Sequence, residues 1–280
     1  MSPALAPPPA RRGPAWASFH VFLPGRVEPF LRGPLLRGVK EERARGRLRR
    51  FFFLRYGEGG PHLRLRFLPT PGTPPEALGG SVEAWARAHA EAEAGSLDTV
   101  RVERHPYDRA ALYFGETRAS VYAELLNEAT SWLALGLLCA PGGDRRSHRW
   151  LAGAGVVHVL LTRTARDAAD LRAWLHESRG FARRAGRELG CEAPVRPDQV
   201  REAVLGPLGA ALPKVAAALA DHPAAARIPR LMRRARDDAA SGSFVGVHAL
   251  HLLLNKLGLS LADEDEIFGA LLHFEDGRAG

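Results

Sequence analysis

The sequence FFFLRYGEGGPHLRLRFL, which spans residues 51–68, predicts a β-hairpin. Two β-rich runs, Phe51–Tyr56 and His62–Leu68, flank the turn-forming segment Gly57–Pro61. Alternate side chains of an extended strand share a face, so the polar side chains of the second run lie together and its apolar side chains lie opposite. The polar set is His62, Arg64 and Arg66, and the apolar set is Leu63, Leu65 and Phe67.

This polar strand face has two interpretations. Two guanidinium groups and an imidazole beside a core strand require an anion or an acidic side chain opposite them, which indicates a binding site. A solvated strand face held by internal salt bridges is the other interpretation, and spacing alone leaves both open. The first run of the hairpin is almost entirely apolar, so we expect the hairpin not to end in an edge open to solvent.

The remaining sequence places strands early and helices late. Further strands are predicted at 16–23 and 99–105, and helices at 81–94, 118–138, 167–189, 198–220, 225–239, 243–257 and 263–273. Residues 69–80 and 141–149 are predicted loops, residues 25–50 a surface helix or loop, and residues 155–164 a helix or a strand. Ser81 is the expected N-cap of its helix, and Asp263 with Glu266 matches a capping box. The pattern predicts an α+β fold, in which a hairpin-containing sheet in the N-terminal half packs with a mainly helical C-terminal half.

Composition and termini set the expected organisation. Residues 1–14 are rich in proline and are expected to be a disordered tail, leaving residues 15–280 as a single domain. The start of the chain lacks the continuous apolar segment of a signal peptide, and no apolar run is long enough to cross a bilayer. The two cysteines, Cys139 and Cys191, form no CxxC motif, so neither a disulfide framework nor a cysteine zinc site is expected. We expect a cytoplasmic protein with no membrane contact.

The formal net charge of +8 is carried almost entirely by arginine. Arginine binds carboxylates and phosphates through a bidentate fork, which suits an acidic partner such as a nucleic acid, a membrane surface or an acidic peptide. A GC-rich codon bias is the alternative explanation. The chain has no motif of alternating aromatic and basic residues, which disfavours a nucleic-acid binder.

A histidine-bearing helix is predicted near the C-terminus, where residues 244–258 are FVGVHALHLLLNKLG. Helical spacing places His248, His251 and Asn255 on one stripe of an otherwise apolar helix. A histidine there is suited to acid–base catalysis near neutral pH, or it is a core histidine bonded to a carbonyl. The HxxH spacing has no adjacent glutamate and no clear third ligand, so it gives little support to a zinc site.

These segments resemble a known family. Residues 51–67 resemble the FFIRY…GPHLRLRF motif of the small domain of lanthipeptide dehydratases, a domain that also occurs as stand-alone proteins in thiopeptide biosynthesis. The segment His251–Lys256 resembles the HMxxNR helix of that family, with lysine in place of arginine. Trp16 and the closing acidic helix also fit, so the resemblance extends over nearly the whole chain from Trp16.

The resemblance implies one of two activities. Some members eliminate glutamate from glutamylated Ser or Thr, using arginines that match Arg64 and Arg66, a histidine that matches His251, and an arginine of an RYGG segment. Here residues 107–115 place Leu112 where that last arginine is expected. The departure favours the second activity, that of a thiopeptide pyridine synthase. Such a protein performs a formal [4+2] aza-cycloaddition between two dehydroalanines of a modified precursor peptide, with macrocyclisation, dehydration and elimination of the leader peptide.

The expected site follows from this resemblance. The catalytic candidates are His251, Tyr113 and Glu116. The substrate-binding candidates are His62, Arg64, Arg66, Ser241, Ser243 and Asn255. The candidates for binding the leader are Arg43, Arg45, Arg47 and Arg49, although a solvated charged face explains that run equally well. The expected partner is a precursor peptide with an acidic leader, carrying azoles and dehydroalanines.

No cofactor or metal is expected, because the sequence has no Gly-rich phosphate loop followed by lysine, no GxGxxG and no HExxH. The alternatives are the glutamate-eliminating subunit of a split dehydratase, a non-catalytic peptide-binding scaffold and, least favoured, a nucleic-acid binder.

Overall fold

The computed structural model describes residues 16–23, 25, 27–93, 100–107, 117–143, 145–190 and 198–279. The strands are β1 (Ala17–Phe22), β2 (Leu48–Tyr56), β3 (His62–Pro69) and β4 (Arg101–Arg104). The first helices are α1 (Val27–Phe30), which continues through a π-helical segment (Leu31–Leu35) into α2 (Leu36–Ala44), and α3 (Pro75–Ala92). The later helices are α4 (Thr117–Cys139), α5 (Arg146–Thr164), α6 (Ala168–Glu188), α7 (Asp198–Ala218), α8 (Pro223–Asp238), α9 (Gly242–Lys256) and α10 (Leu261–Ala279).

The described strands form one antiparallel sheet in the order β2-β3-β1-β4. The predicted hairpin is present as β2 and β3, with Tyr56 opposite His62 at the turn. Strand β1 pairs with the other side of β3, so the strand with the alternating charges lies inside the sheet. The helical C-terminal half and the N-terminal sheet confirm the predicted α+β class.

The apolar face of the sheet carries the core beneath the helices. Phe51 of β2 and Phe67 of β3 stack at 5.3 Å between ring centroids. Trp132 of α4 packs edge-on against Phe51, and Trp85 of α3 packs edge-on against Phe67. Trp85 also occupies the space where a Cβ at Gly38 would stand, only 2.1 Å from its ring, so α2 can approach α3 only with glycine at this position.

Strand β2 ends the sheet, and helical side chains cover its outer edge. The backbone N–H of Phe53 donates to the Ser131 hydroxyl of α4 at 3.2 Å. The backbone of Arg55 bonds Asn255 of α9 through both its N–H and its carbonyl. At Phe53 and Arg55 the edge is therefore not left open to water, because helices supply the missing hydrogen-bond partners.

Several predicted boundaries are wrong. Helix α3 begins at Pro75 within the predicted 69–80 loop, because proline is well suited to the first turn of a helix. Ser81 is thus inside the helix and does not cap it, and its hydroxyl donates to the Glu42 carboxylate at 3.1 Å. Helix α5 begins at Arg146 and includes 155–164, so the predicted 141–149 loop is too long.

The capping box of α10 also differs from the prediction. Ser260 is the capping residue, since the backbone N–H of Ser260 donates to the Asp263 carboxylate at 2.8 Å and the Asp263 N–H donates to the Ser260 hydroxyl at 3.2 Å. Asp263 is therefore the last residue of the box, at position N3, and does not begin it. The segment predicted as a surface helix or loop at 25–50 is helical to Ala44 and enters β2 at Leu48.

No single helix in the described ranges is long and apolar enough to cross a membrane. Helices α9 and α10 pass such a test only together, as a pair bent by 118°. The predicted disordered tail lies outside the described residues.

Candidate functional site

The face of the sheet opposite the core carries polar and aromatic side chains from every described strand. Cross-strand partners share a face, and the register pairs Ser18 with Arg66, His20 with Arg64, and Phe52 with Arg66. We call this surface the His-Arg face. Its members are Ser18, His20, Phe22, Phe52, Tyr56, His62, Arg64, Arg66, Glu103 and His105. As predicted, His62, Arg64 and Arg66 lie on one face of β3, and the apolar set of Leu63, Leu65 and Phe67 lies on the other.

Three imidazole rings stack across this face. The His20 ring lies 4.8 Å from that of His62 and 3.8 Å from that of His105, with interplanar angles of 28° and 13°. The Nε2 of His105 contacts the Glu103 carboxylate at 3.0 Å. Burial, followed by the nearby His105, lowers the pKa of His20 to about 4. His20 is therefore a neutral ring at physiological pH, and it presents no charge that would repel the neighbouring guanidinium groups.

His62 orients Arg64. Its Nδ1 lies 2.9 Å from the carbonyl of Gly60, which can only accept, so Nδ1 carries the proton and Nε2 is left to accept. The Nε of Arg64 donates to that Nε2 at 3.3 Å. Gly60 has a φ of 103°, a conformation that favours glycine. Burial lowers the pKa of His62, and the charge of Arg64 lowers it further.

The Arg64 guanidinium lies flat on the ring of Tyr56, 3.3 Å from its centroid. Its ion pair with Glu58 is long, at 3.8 Å, and Glu58 is itself largely in solvent. A carboxylate held so weakly can be replaced by a ligand. His62 and Tyr56 thus fix the orientation of the Arg64 side chain, which remains partly exposed to solvent.

Arg66 is more deeply placed, with only 6% of its surface exposed. Its Nη1 donates to the carbonyl of Leu65 at 3.1 Å, and its guanidinium lies 5.5 Å from the ring centroid of Tyr107. Trp16 and Phe52 pack against Tyr107 in the same ring cluster. Within the described part of the chain no carboxylate forms an ion pair with Arg66. Burial lowers the pKa of Arg66 to about 10, which leaves it charged at neutral pH.

His251 lies on α9 and pairs with a buried glutamate of α10. Its Nδ1 lies 2.9 Å and 3.0 Å from the two carboxylate oxygens of Glu264, which is 1% exposed. Burial raises the pKa of Glu264 in spite of the opposing influence of His251. The pairing fixes the ring and leaves its Nε2 for another partner, as in other histidine–carboxylate pairs. The His251 ring is partly exposed beside Phe181, with 5.1 Å between ring centroids.

The other members of the histidine stripe are occupied within the protein. The ring of His248 lies 5.8 Å from that of His251, and burial lowers the pKa of His248 to about 3. The amide of Asn255 is engaged by the backbone of Arg55. This contact attaches the helix that carries His251 to the residue next to Tyr56, the ring on which Arg64 rests.

Lys256, which stands where the family motif has arginine, is fully buried. Its Nζ donates to the side-chain oxygens of Asn127 and Thr130 in α4, both at 3.0 Å. The backbone carbonyl of Lys256 accepts from Nε of Arg55, whose Nη1 bonds Glu28 at 3.0 Å. The motif therefore anchors α9 to α4 and to the edge of the sheet.

The remaining predicted residues lie apart from His251 or outside the described ranges. Ser241 is the N-cap residue of α9 and Ser243 is in its first turn, about 12–15 Å from His251 along the helix axis. Tyr113, Glu116 and the unexpected Leu112 fall outside the described residues.

The predicted leader-binding arginines divide into two groups. Arg47 forms an ion pair with the buried Glu42, and Arg45 forms ion pairs with Glu42 and Glu41, so the charges of both arginines are already compensated. Arg43 lies over the ring of Trp132 at 5.2 Å, and Arg49 is exposed at the sheet edge. In the described ranges neither Arg43 nor Arg49 forms an ion pair with a carboxylate.

Sequence reasoning missed Ser18, His20, His105 and Glu264. The alternation of β1 could have indicated Ser18 and His20, since it places them on the polar face once the strand pairs with β3. Glu264 gave no such signal, because it stands in the acidic run Asp263–Glu266, which is typical of a helix start. Among the described residues no three His, Cys, Asp or Glu side chains form a group that could hold a metal ion.

Known proteins share this fold. It is similar to that of the tRNA-dependent lantibiotic dehydratase MibB from Microbispora sp. 107891, with 21% identity and a TM-score of 0.67; the match covers 98% of this chain and 29% of that one. It is also similar to the pyridine synthase TbtD from thiomuracin biosynthesis, with 17% identity and a TM-score of 0.62 over 95% of this chain and 98% of that one. TsrL matches with 17% identity and a TM-score of 0.60 over 94% of this chain and 95% of that one.

No curated protein sequence matches the chain. Residues 16–274 match the family model described as the C-terminal part of lantibiotic biosynthesis dehydratases. This match includes the His-Arg face, the His251–Glu264 pair and the Asn255 anchor. The chain therefore belongs to the lantibiotic dehydratase C-terminal family.

Proposed function

We propose that this protein is a thiopeptide pyridine synthase, which joins two dehydroalanines of a modified precursor peptide by a formal [4+2] aza-cycloaddition. The observation that carries the proposal is the His251–Glu264 pair, an acid–base group on a helix that is bonded to the sheet bearing Arg64 and Arg66. The replacement of the family arginine by Leu112 supports ring formation over glutamate elimination.

The first task of such an enzyme is to hold two distant alkenes of a flexible peptide in contact. Well-oriented intramolecular reactions gain effective molarities of about 10⁵ M or more, so positioning alone supplies much of the acceleration. Arg64 and Arg66 project from a strand that is paired on both sides, which keeps them rigid. Their guanidinium groups are suited to fixing peptide carbonyl groups along this face.

The second task is to shift one substrate amide toward its imidic tautomer, which serves as the azadiene. A buried guanidinium such as Arg66 stabilises negative charge that develops on the amide oxygen, because little water competes for it. The Nε2 of His251 accepts the amide N–H proton and returns it to the amide oxygen, which gives the imidic acid, while Glu264 stabilises the intermediate imidazolium. In the later steps the same ring removes one proton from the cycloadduct for each bond that breaks. It passes the first to the hydroxyl group, which leaves as water, and the second to the leaving leader amide.

The partner implied by this reaction is a precursor peptide with an acidic leader, azoles and dehydroalanines. Arg43 and Arg49 are its candidate contacts, because their charges are not compensated by glutamates as those of Arg45 and Arg47 are. The His62 ring serves the substrate indirectly, through Arg64.

Glutamate elimination is the second candidate. Arg66, buried and without an ion-paired carboxylate among the described residues, would also suit the carboxylate of a glutamyl group. In this case the protein would release free glutamate from a glutamylated peptide and would require a separate glutamylating partner.

The deciding experiment uses two peptides and mass spectrometry. A fully dehydrated, azole-bearing precursor and a glutamylated precursor are each incubated with the full chain. The proposal predicts a macrocycle and a released leader from the first peptide, and no product when His251 is replaced by Asn. Glutamate release from the second peptide, with no macrocycle from the first, would overturn it. Binding without any change in mass would leave a peptide-binding scaffold.

A further inference from the structure

Ser18 of β1 carries a buried hydroxyl group. Only 1% of its surface is exposed, and within the described part of the chain its Oγ has no hydrogen-bond partner. Leaving a hydroxyl group unsatisfied in the interior is costly, so each such group requires an explanation, and one explanation is a ligand that supplies the missing hydrogen bond. Ser18 is not required for packing volume, because alanine would fill nearly the same space without a polar group.

The direct cross-strand partner of Ser18 is Arg66. Side chains of residues paired in this way share a face, with Cβ atoms about 5 Å apart. Arg66 is also more than nine-tenths buried, and the one hydrogen bond that its guanidinium makes to a described residue, to the Leu65 carbonyl, satisfies only one of its donors. Two buried, under-satisfied donors therefore stand side by side on β1 and β3.

We propose that Ser18 and Arg66 form one site, in which both side chains donate hydrogen bonds to the oxygen of a planar carboxylate or amide group of the bound peptide. The guanidinium supplies the positive charge and several N–H donors in one plane, and the hydroxyl supplies one O–H donor from a different direction. The rings of Trp16, Phe52 and Tyr107 pack beside it and reduce competition from water. The identity of the peptide rests on the proposed function, whereas the site itself is testable with small molecules.

Two probes separate the two sources of such an oxygen. N-acetylglycine carries a carboxylate and N-acetylglycinamide carries an amide of almost the same shape. Each is titrated into the full chain by calorimetry at constant ionic strength, and its effect on the melting temperature is recorded, because a ligand that binds the native state raises that temperature. Selective binding of the first probe assigns a carboxylate, and selective binding of the second assigns an amide oxygen.

The variants are Ser18→Ala, Arg66→Lys and the double change, with Ser178→Ala as the matched control. Ser178 is likewise 1% exposed, and its hydroxyl has no partner among the residues that the structure describes, but it lies on α6. We expect Ser18→Ala to weaken the preferred probe about tenfold, the loss of one hydrogen bond within a charged site. If both groups contact one ligand oxygen, the two single losses will not add in the double variant. Ser178→Ala should bind as the parent does.

The ligand-free melting temperature gives an independent readout. Ser18→Ala should melt at the same temperature as the parent or higher, since it removes an unsatisfied buried hydroxyl, while its binding falls. A purely structural Ser18 would show the opposite, with lower stability and unchanged binding, and that result would overturn the proposal. Equal binding of both probes by parent and Ser18→Ala, or no binding by either protein, would overturn it as well.

The outcome is separable from that of the proposed function. Ser18-dependent binding in a chain that makes no macrocycle would keep the site and reject the pyridine synthase. Macrocycle formation at parental rate by Ser18→Ala, with unchanged probe affinity, would keep the enzyme and reject the site.

Discussion

The side chain of Asn255 bonds the backbone of Arg55 as a neighbouring strand would. Its Oδ1 accepts the Arg55 N–H at 3.0 Å, and its Nδ2 donates to the Arg55 carbonyl at 3.1 Å. A primary amide has the same donor and acceptor arrangement as a peptide group, so α9 closes the edge of β2 without a further strand. The asparagine of the family motif therefore has a clear structural role one helical turn from His251.

Replacing Asn255 should destabilise the fold. Asn255→Ala leaves both Arg55 backbone groups without their partner, and we expect the free energy of unfolding to fall by about 1–3 kcal/mol. Asn255→Asp keeps the acceptor but places a carboxylate oxygen against the Arg55 carbonyl, so it should also destabilise. Denaturant unfolding of the three proteins measures the effect. An Asn255→Ala protein within about 0.5 kcal/mol of the parent would contradict the bonding role.

Replacing Glu264 should reduce turnover with little effect on substrate affinity. Glu264→Gln keeps an oxygen for the Nδ1 of His251 but removes the negative charge that stabilises the imidazolium. General acid–base catalysis contributes about 10²-fold or more, so we expect kcat for the dehydrated peptide to fall by about that factor, with KM little changed.

The control for this prediction is the neighbouring carboxylate. Asp265 bonds Arg179 and Arg183 instead of His251, so Asp265→Asn should leave kcat near the parental value. Equal losses in both variants would indicate a general effect of charge at the start of α10 and would remove Glu264 from the acid–base pair.

The sequence was most informative where a pattern is local. Alternation over His62–Leu68 predicted which side chains share a face of β3, and the hairpin followed from the turn residues between two β-rich runs. Helix identity in the C-terminal half followed from periodicity. The start of α3 differs from the prediction because a proline fits a loop as well as a first helical turn. That of α10 differs because Ser260 and Asp263 both suit an N-cap. Helix α5 begins after Arg145, which makes no side-chain capping bond that could mark its start.

The site depended on contacts between elements distant in sequence. His251 and Glu264 meet because α9 ends at a tight turn in which Gly258 has a φ of 76°, and α10 then folds back. Ser18 meets Arg66 only once β1 pairs with β3 across 48 residues of chain. The periodicity that placed Asn255 with His251 was correct about the stripe, but it contained no information about the Arg55 backbone opposite it.

Lys256 should make stability depend on pH. Burial lowers its pKa well below the ordinary value of 10.5, so between the two values the unfolded chain binds a proton that the native chain does not. Raising the pH from 7 towards 10.5 should therefore stabilise the parent relative to Lys256→Met. Lys40→Met, which alters an exposed lysine, should show no such trend. Parallel curves of unfolding free energy against pH for the parent and Lys256→Met would contradict the prediction.

His248 should produce a loss of stability in acid. Burial, with a smaller effect of the neighbouring His251, lowers its pKa from 6.5 to about 3, so in this interval the unfolded state takes up a proton and the native state does not. The contribution of His248 to stability is therefore fully present above pH 6.5 and falls as the pH drops towards 3, by at most about 1.4 kcal/mol per pH unit.

The variant His248→Phe tests this prediction. It cannot take up this proton, and its ring suits a position beside Phe181 and Phe244. We expect the stability difference between the parent and His248→Phe to shift in favour of the variant between pH 6.5 and pH 5, whereas His176→Phe, at an exposed position on α6, should follow the parent. Denaturant unfolding at half-unit pH steps measures this difference, and it cancels the acid sensitivity that both proteins share through His20. A difference independent of pH would mean that His248 is protonated in the native protein.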